Sequence, residues 1–362
     1  MTLAEDFEFD AKAKEAADKY LSVARNLSER NFGPLLCFTT TNLFLWHIDA
    51  FEREGDVNGA FTEQFNKASH ILETAKNSGI ISKATSDIKS PRFGEHFEKD
   101  VSGLFSDIWV DMTDDIYFDE TYDFTCERLE KNGINPKSFF ENKIVVDCGC
   151  GRGKFSATIA RLGAKEVIGV DIGEKGLEFA RQQAQKVSYG ERMRFVRGSL
   201  LSIPLEDNSV DMVWSNGVIH HTLDYDKCVE EFSRVTRQGG DLFLYVNGRF
   251  GLFELLQDTL RKSMENVPRN LMQTYLKTLG VNSGRLYWIM DCCYAPYEWR
   301  SKRQVVSLLE DNGYTKIKQL TRGVEIDQIE KISQGKPNAA ISYGEGQLKF
   351  VATLEKSKLK NN

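Results

Sequence analysis

The sequence predicts an α/β protein built on a parallel sheet with helices on both faces. Two observations predict it. From about residue 143, short β-branched apolar runs alternate with segments of helical periodicity. The first run, Ile144-Val145-Val146-Asp147, ends on an acid and turns through Cys148-Gly149-Cys150-Gly151-Arg152-Gly153 into the next helical segment. A turn of this kind lets backbone amides and a helix N-terminus approach a charged, nucleoside-containing ligand.

Taken in order, residues 1–138 form an N-terminal helical region. Ala13, Ala16, Ala17, Tyr20, Val23 and Ala24 recur at helical spacing there. Gly79 to Gly94, with Ser82, Ser86, Ser90 and Pro91, reads as a loop, and Asp119 to Lys131 resumes a helical pattern. Residues 139–247 are the alternating core. It contains strands at Ile144–Asp147, Val167–Asp171, Arg194–Arg197, Val210–Trp214 and Leu242–Val246, with helices starting at Lys154, Glu174 and Tyr225. Right-handed crossovers then place ligands outside the carboxyl ends of the strands, where the winding reverses.

Residues 248–300 interrupt the alternation with helical leucines (Leu252, Leu255, Leu256, Leu260) and the aromatics Tyr287, Trp288, Tyr294, Tyr297 and Trp299. This segment is expected to be a helical cap over the strand ends. Residues 301–362 complete the sheet, with a helix over Lys302–Asn312 and strands near Thr315–Leu320 and Leu348–Thr353 read as a closing hairpin.

At 362 residues and 41% hydrophobic composition the chain can bury a full core. A formal net charge of −6 argues against a surface devoted to neutralising nucleic-acid phosphates. The seven cysteines are an odd set, and neither Cys148-x-Cys150 nor Cys292-Cys293 has CxxC spacing or histidine partners. Buried reduced thiols in the cytoplasm and no metal site are the expectation. MTLAEDFEFD lacks the basic and apolar regions of a signal peptide, and no stretch reaches the roughly 18 apolar residues of a membrane span.

Gly149, Gly151 and Gly153 follow G-x-G-x-G, one residue shorter than the dinucleotide G-x-G-x-x-G, which disfavours a nicotinamide oxidoreductase. Asp171, ending Val167-Ile168-Gly169-Val170-Asp171, is positioned for its carboxylate to accept two ribose hydroxyls. The other reading of Asp171, a cap for the helix near Glu174, leaves the glycines unexplained.

With these residues in place, the segment from about Phe140 to Val246 resembles the class I S-adenosylmethionine-dependent methyltransferases, most closely the small-molecule branch. The resemblance implies a Rossmann-like seven-stranded sheet with S-adenosyl-L-methionine as cofactor. It implies that Asp147, Gly149, Gly151 and Gly153 line the methionine part, that Asp171 holds the ribose, and that Ile172 lies against adenine. The family's acid after the third strand is replaced by Gly198-Ser199-Leu200, so the Ser199 hydroxyl or Leu200 amide would meet adenine. Arg197 and Asp207 read as surface residues. In Trp214-Ser215-Asn216-Gly217-Val218-Ile219-His220-His221-Thr222, the family pattern turns Ser215 and Asn216 toward the cofactor. The Asn/Asp-Pro-Pro-aromatic tetrapeptide of amide and base-nitrogen methylation is missing.

His220 and His221 are the candidates for a general base, since neutral imidazole accepts a proton near pH 7. The alternatives are stacking on the cofactor or capping the next helix. His96 is a weaker candidate, and His47 and His70 read as structural. Asp115-Ile116-Tyr117-Phe118 with Tyr122, and Tyr287 to Trp299, would wall an acceptor pocket, although plain core packing suits any single ring better. The expected reaction is methyl transfer to an oxygen, nitrogen or sulfur of a small metabolite. The alternatives are an RNA or protein acceptor, or a silent binding protein on the same fold. A homodimer is allowed, and no nucleic acid or membrane partner is expected.

Overall fold

The computed structural model describes residues 7–28, 32–51, 53–78, 103, 114 and 116–355. The loop expected over 79–94, His96 and Asp115 lie outside the described residues. Among those described, the elements run α1 (Ala11–Ser28), α2 (Gly33–Ala50), α3 (Val57–Asn77), a π-turn (Ile116–Glu120), α4 (Thr121–Glu130), α5 (Pro136–Phe140), β1 (Ile144–Cys148), α6 (Lys154–Arg161), β2 (Glu166–Asp171), α7 (Glu174–Ala184), β3 (Met193–Arg197), β4 (Val210–Asn216), a 3-10 turn (Ile219–His221), α8 (Tyr225–Val235), β5 (Thr236–Asn247), α9 (Leu252–Ser263), α10 (Arg269–Thr278), α11 (Ser283–Tyr294), α12 (Lys302–Asp311), β6 (Tyr314–Gln319), α13 (Gln328–Ser333), α14 (Ala339–Tyr343) and β7 (Gln347–Leu354).

The chain forms two compact units. One comprises Met1–Glu95, Phe250–Ala295 and Gly335–Gly344; the other comprises His96–Arg249, Pro296–Gln334 and Glu345–Asn362. The first is helical, with α1 packed on α3 and α9, and α9 on α11. Its apolar positions follow the expected spacing, since Ala13, Ala16, Ala17, Tyr20 and Ala24 are all buried. His47 sits among the rings of Phe51 and Phe61, and burial pushes its imidazole down to about 3. His70 is exposed on α3.

The second unit holds a seven-stranded sheet in the order β3-β2-β1-β4-β5-β7-β6. Strands β1 to β5 are parallel, and β7 runs antiparallel to both β5 and β6. Both faces are covered, which is why the central strands read as continuous apolar runs. Val146, Ile168, Val213 and Leu244 meet Cys228, Val229 and Phe232 of α8 and Val305 and Leu309 of α12. Val145, Val167, Met212, Trp214 and Phe243 meet Ala157 and Ala160 of α6, Leu177 and Ala180 of α7, and Phe140. Each such side chain contributes about 1.5–3 kcal/mol of burial free energy.

Helix starts follow local chemistry. Asp224 accepts from the Lys227 amide at 2.8 Å to begin α8, and Ser301 with Gln304 forms a reciprocal capping box on α12. Two departures stand out. β5 begins at Thr236, before the expected Leu242, because Val210 pairs with Thr236 across an irregularity that hides the strand period. The hairpin of β6 and β7 is an antiparallel pair, but α13 and α14 fall between the two strands, and β7 inserts between β5 and β6.

From β1 the chain winds outward through β2 and β3, then returns to β4 on the other side of β1. The reversal puts the carboxyl ends of β2, β1 and β4 side by side, carrying Asp171, Cys148 and Asn216.

Candidate active site

The glycine turn leaves β1 with Gly149 at φ +74°, Gly151 at +55° and Gly153 at +84°, all in the left-handed region that side chains resist. The three glycines serve different ends. A Cβ on Gly149 would stand 2.4 Å from Val218, and one on Gly153 would stand 2.8 Å from Ala180 of α7 and 3.0 Å from the Tyr117 hydroxyl. A Cβ on Gly151 would meet nothing within 4 Å, so that position opens outward. It is the point where a ligand can approach bare main chain.

Two acids brace the turn. Asp171 Oδ2 accepts from the Gly151 amide at 2.8 Å and Oδ1 from the Gly173 amide at 2.7 Å. Burial raises its carboxyl above the usual range despite those amides. Each oxygen retains a second lone pair, the arrangement needed to accept a pair of vicinal hydroxyls. Asp147 is enclosed at the end of β1, and its Oδ2 accepts from Ser156 Oγ at 2.6 Å, fixing α6 to the strand. Burial pushes its carboxyl up to about 7. Tyr117 donates to the Arg152 carbonyl at 2.9 Å, and the Arg152 guanidinium lies 4.4 Å over the Phe179 ring.

The remaining expected residues divide between rim and core. Ile172 is half-buried next to Asp171, and its carbonyl accepts from Arg197 Nε at 3.3 Å. Ser199 Oγ accepts from the Leu201 amide at 3.1 Å, while the Leu200 side chain joins the core. Arg197 and Asp207 are exposed. Asn216 is half-buried at the end of β4, on the Trp214 face of the sheet. Ser215 points to the other face, wholly enclosed, and its Oγ has no hydrogen-bond partner. A ligand at the rim therefore meets the Asn216 side chain before that of Ser215.

Both histidines are buried on the 3-10 turn that follows. His221 Nδ1 lies 2.7 Å from the Pro296 carbonyl, which can only accept, so Nδ1 carries the proton and Nε2 is the basic nitrogen of the neutral ring. The His220 ring is 4.2 Å from that of His221 and 4.6 Å from that of Tyr297. Tyr297 Oη in turn accepts from Asn247, whose Oδ1 accepts from Tyr245 Oη at 3.2 Å.

Ser156, Val218, Tyr245 and Asn247 are parts of this arrangement that sequence reasoning did not assign, and Tyr117, expected as a pocket wall, meets the glycine turn through its hydroxyl. Only Ser156 carried a local signal, a hydroxyl two residues into the helix after the glycine turn. The cysteines of the turn, Cys148 and Cys150, are buried free thiols pushed well up by burial.

Comparison with known proteins bears on the same segment. Residues 146–244 match the model of the family described as methyltransferase domain. The chain is 38% identical over 133 residues to a malonyl-[acyl-carrier protein] O-methyltransferase of Yersinia pestis, covering 37% of this chain and 46% of that one. It is 33% identical over 100 residues to a 27-O-demethylrifamycin SV methyltransferase of Amycolatopsis mediterranei, covering 28% and 37%. It is 28% identical over 184 residues to the chloroplastic tocopherol O-methyltransferase of Arabidopsis thaliana, covering 46% and 53%. The chain thus spans about half or less of the length of these relatives. The matched segment runs from β1 into β5 and contains the glycine turn, Asp171 and the loop after β4: over residues 146–244 the chain carries a methyltransferase domain.

Proposed function

We propose that the protein transfers a methyl group from S-adenosyl-L-methionine to an oxygen, nitrogen or sulfur atom of a small metabolite. The observation that carries this reading is Gly151, a left-handed glycine with open space where a side chain would be, its amide held by Asp171. When bound, the cofactor supplies a sulfonium-activated methyl: the acceptor's lone pair bonds the carbon, and the sulfur–methyl bond breaks with its electrons going to sulfur.

The residues then divide the work. Asp171 takes the ribose hydroxyls, Ile172 covers adenine, and Ser199 with the Leu200 main chain offers adenine its hydrogen bonds. Gly149 and Gly153 let the turn pack against Val218 and α7, and Asp147 fixes α6 through Ser156. Asn216 faces the methionine part, with Ser215 sealed beneath it. His221 Nε2 accepts the proton that a hydroxyl or ammonium acceptor loses, with the tilted ring of His220 against it. Alignment and exclusion of water supply much of the acceleration, about 7 kcal/mol or more.

Two of the relatives are named as O-methyltransferases, which favours hydroxyl and carboxyl acceptors as the first to assay. Among the described residues no helix is long and apolar enough to cross a membrane. The buried free thiols favour a cytoplasmic location, and a homodimer remains part of this reading. Calorimetric titration with S-adenosylhomocysteine tests the proposal. Submillimolar binding by the wild type and at least a hundredfold loss in Asp171→Ala support it, and no binding by the wild type overturns it.

A further inference from the structure

The tautomer of His221 is set by a strap of chain, Pro296 to Arg300, that runs along the 3-10 turn within the sheet-bearing unit. The Pro296 carbonyl accepts from His221 Nδ1 at 2.7 Å, and two residues on the Glu298 amide donates to the His220 carbonyl at 2.8 Å. The far end of the strap is pinned as well. Arg300 lies 4.3 Å over the Tyr225 ring at the start of α8, bonds Asp226, and donates from Nε to Glu298 at 2.7 Å. The turn is closed by the His221 amide on the Val218 carbonyl at 2.9 Å and by the Thr222 hydroxyl on the Ile219 carbonyl at 2.7 Å. With the turn so closed, the place of the strap decides which nitrogen of His221 keeps the proton.

Asn247, the last residue of β5, reaches the strap with its side chain. Its Nδ2 donates to Tyr297 Oη, and its Oδ1 accepts from Tyr245 Oη at 3.2 Å. Tyr245 and Asn247 stand two positions apart on β5 and so share a face. Tyr245 is rooted in the sheet. It pairs with Asn216 of β4 and Lys349 of β7, its ring lies 3.3 Å from where Gly217 would carry a Cβ, and Lys349 Nζ stands 5.2 Å from the ring centre. The Tyr297 ring, held at its hydroxyl, meets His220 at 4.6 Å, His221 edge-on at 5.0 Å and Trp299 at 4.5 Å. One amide thus joins a ring fixed in the sheet to the ring that packs on both imidazoles, one residue from the carbonyl that holds Nδ1. An amide suits this place, since it offers an acceptor and a donor in one plane and brings no charge to the imidazoles.

We propose that Asn247 is a positioning residue for the His221 base: by holding Tyr297 it keeps the Pro296 carbonyl on Nδ1 and leaves Nε2 unprotonated. The inference rests on the methyltransferase reading above and adds the residue that sets its base. Without the tether the ring takes up its other tautomer, with the proton on Nε2. A nitrogen that carries a proton cannot receive one from a hydroxyl or ammonium acceptor. Asn247 acts through Tyr297 and the strap, and its own amide nitrogen is not basic.

The test reads the imidazole nitrogens by long-range proton–nitrogen correlation spectra of the full-length protein with isotope-labelled histidine, at about pH 8, where an ordinary imidazole is neutral. His221→Gln identifies the His221 signals. The wild-type ring is expected to carry its proton on Nδ1 alone. Asn247→Leu, which keeps the volume, and Tyr297→Phe, which keeps the ring, should each raise the Nε2-protonated form to about a tenth of the population or more. The double variant should go no further than the stronger single one, because both cut the same tether. Melting temperatures are read on the same samples: a merely structural Asn247 would lower them and leave the tautomer unchanged, and that result overturns the proposal. A wild-type ring protonated on Nε2 overturns it too, as do strictly additive shifts in the double variant. Where Asn247→Leu does not fold, Tyr297→Phe decides alone. Titration of the wild type with S-adenosylhomocysteine keeps the two readings apart: no binding removes the methyltransferase reading, whereas binding with an unmoved tautomer in the variants removes only this inference.

Discussion

Asp171 Oδ2 accepts the Gly151 amide at 2.8 Å, so the acid that ends β2 holds the bend that follows β1. One carboxylate both shapes the turn and faces the ligand that the turn would receive. Asp171→Asn keeps the volume and one acceptor but sets an NH2 group against an amide. It should lower the unfolding free energy by about 1–3 kcal/mol, and S-adenosylhomocysteine affinity by tenfold or more. Urea unfolding with and without the nucleoside measures both. An Asn variant of unchanged affinity would show that the carboxylate is only a brace.

The glycines separate folding from binding. Gly149→Ala sets a Cβ 2.4 Å from Val218 at φ +74° and should destabilise the protein by about 2 kcal/mol or more. Gly151→Ala has the same backbone handedness but no neighbour to strike, so about 1 kcal/mol is expected, with most of the loss falling on nucleoside binding. A Gly151→Ala protein that binds S-adenosylhomocysteine like the wild type would show that the open face is not where the ligand sits.

Asp147 gives stability a pH dependence of unusual sign. Burial raises its carboxyl from 3.8 to about 7, so the folded state holds a proton that the unfolded state has released. Its contribution is full below about pH 4 and is lost as pH rises to about 7. Asp147→Asn, which still accepts from Ser156, should remove that decline and be the more stable protein at pH 8. Denaturation midpoints at pH 5 and pH 8 for both proteins decide it, and parallel pH profiles would place the ionisation elsewhere.

The histidines divide by geometry. With Nδ1 of His221 committed to the Pro296 carbonyl, His221→Ala should slow turnover tenfold or more and leave the S-adenosylhomocysteine dissociation constant within about threefold. His220→Ala should act more weakly, through loss of its ring contacts with His221 and Tyr297. Full turnover in both single variants and in the double variant would eliminate an imidazole base.

The strand–turn–helix core was legible because its signals are local. α6, α7 and α8 begin at the expected Lys154, Glu174 and Tyr225, and β1 and β2 lie within a residue of their expected ends. The acids that end those strands were legible for the same reason. Contacts between distant segments were not. Nothing near Arg128 in sequence announces Asp327, 199 positions away, and Lys349 occupies a strand position that reads as solvent-facing. The grouping of 250–295 with the N-terminal helices was equally hidden, since a helical period reports that a face is apolar and not what covers it. Ser215 looked available beside Asn216, but alternation along β4 sends the two side chains to opposite faces of the sheet.

The Arg128–Asp327–Lys349 triad yields a prediction of stability that does not depend on any ligand. Removing the carboxylate that Arg128 and Lys349 share leaves an enclosed ammonium beside a partly buried guanidinium, so Asp327→Asn should cost about 3–5 kcal/mol. Burial alone would raise the Asp327 carboxyl, but the Arg128 and Lys349 charges outweigh it and hold it below its usual range. Its stabilisation is therefore present at neutral pH and is lost as pH falls below about 4. Adding Lys349→Met to Asp327→Asn removes one of the stranded charges and should recover more than half of the loss. That recovery would be a non-additivity of the kind expected only for groups in direct contact. Strict additivity of the two substitutions in urea unfolding would mean that a group other than Asp327 neutralises the Lys349 ammonium.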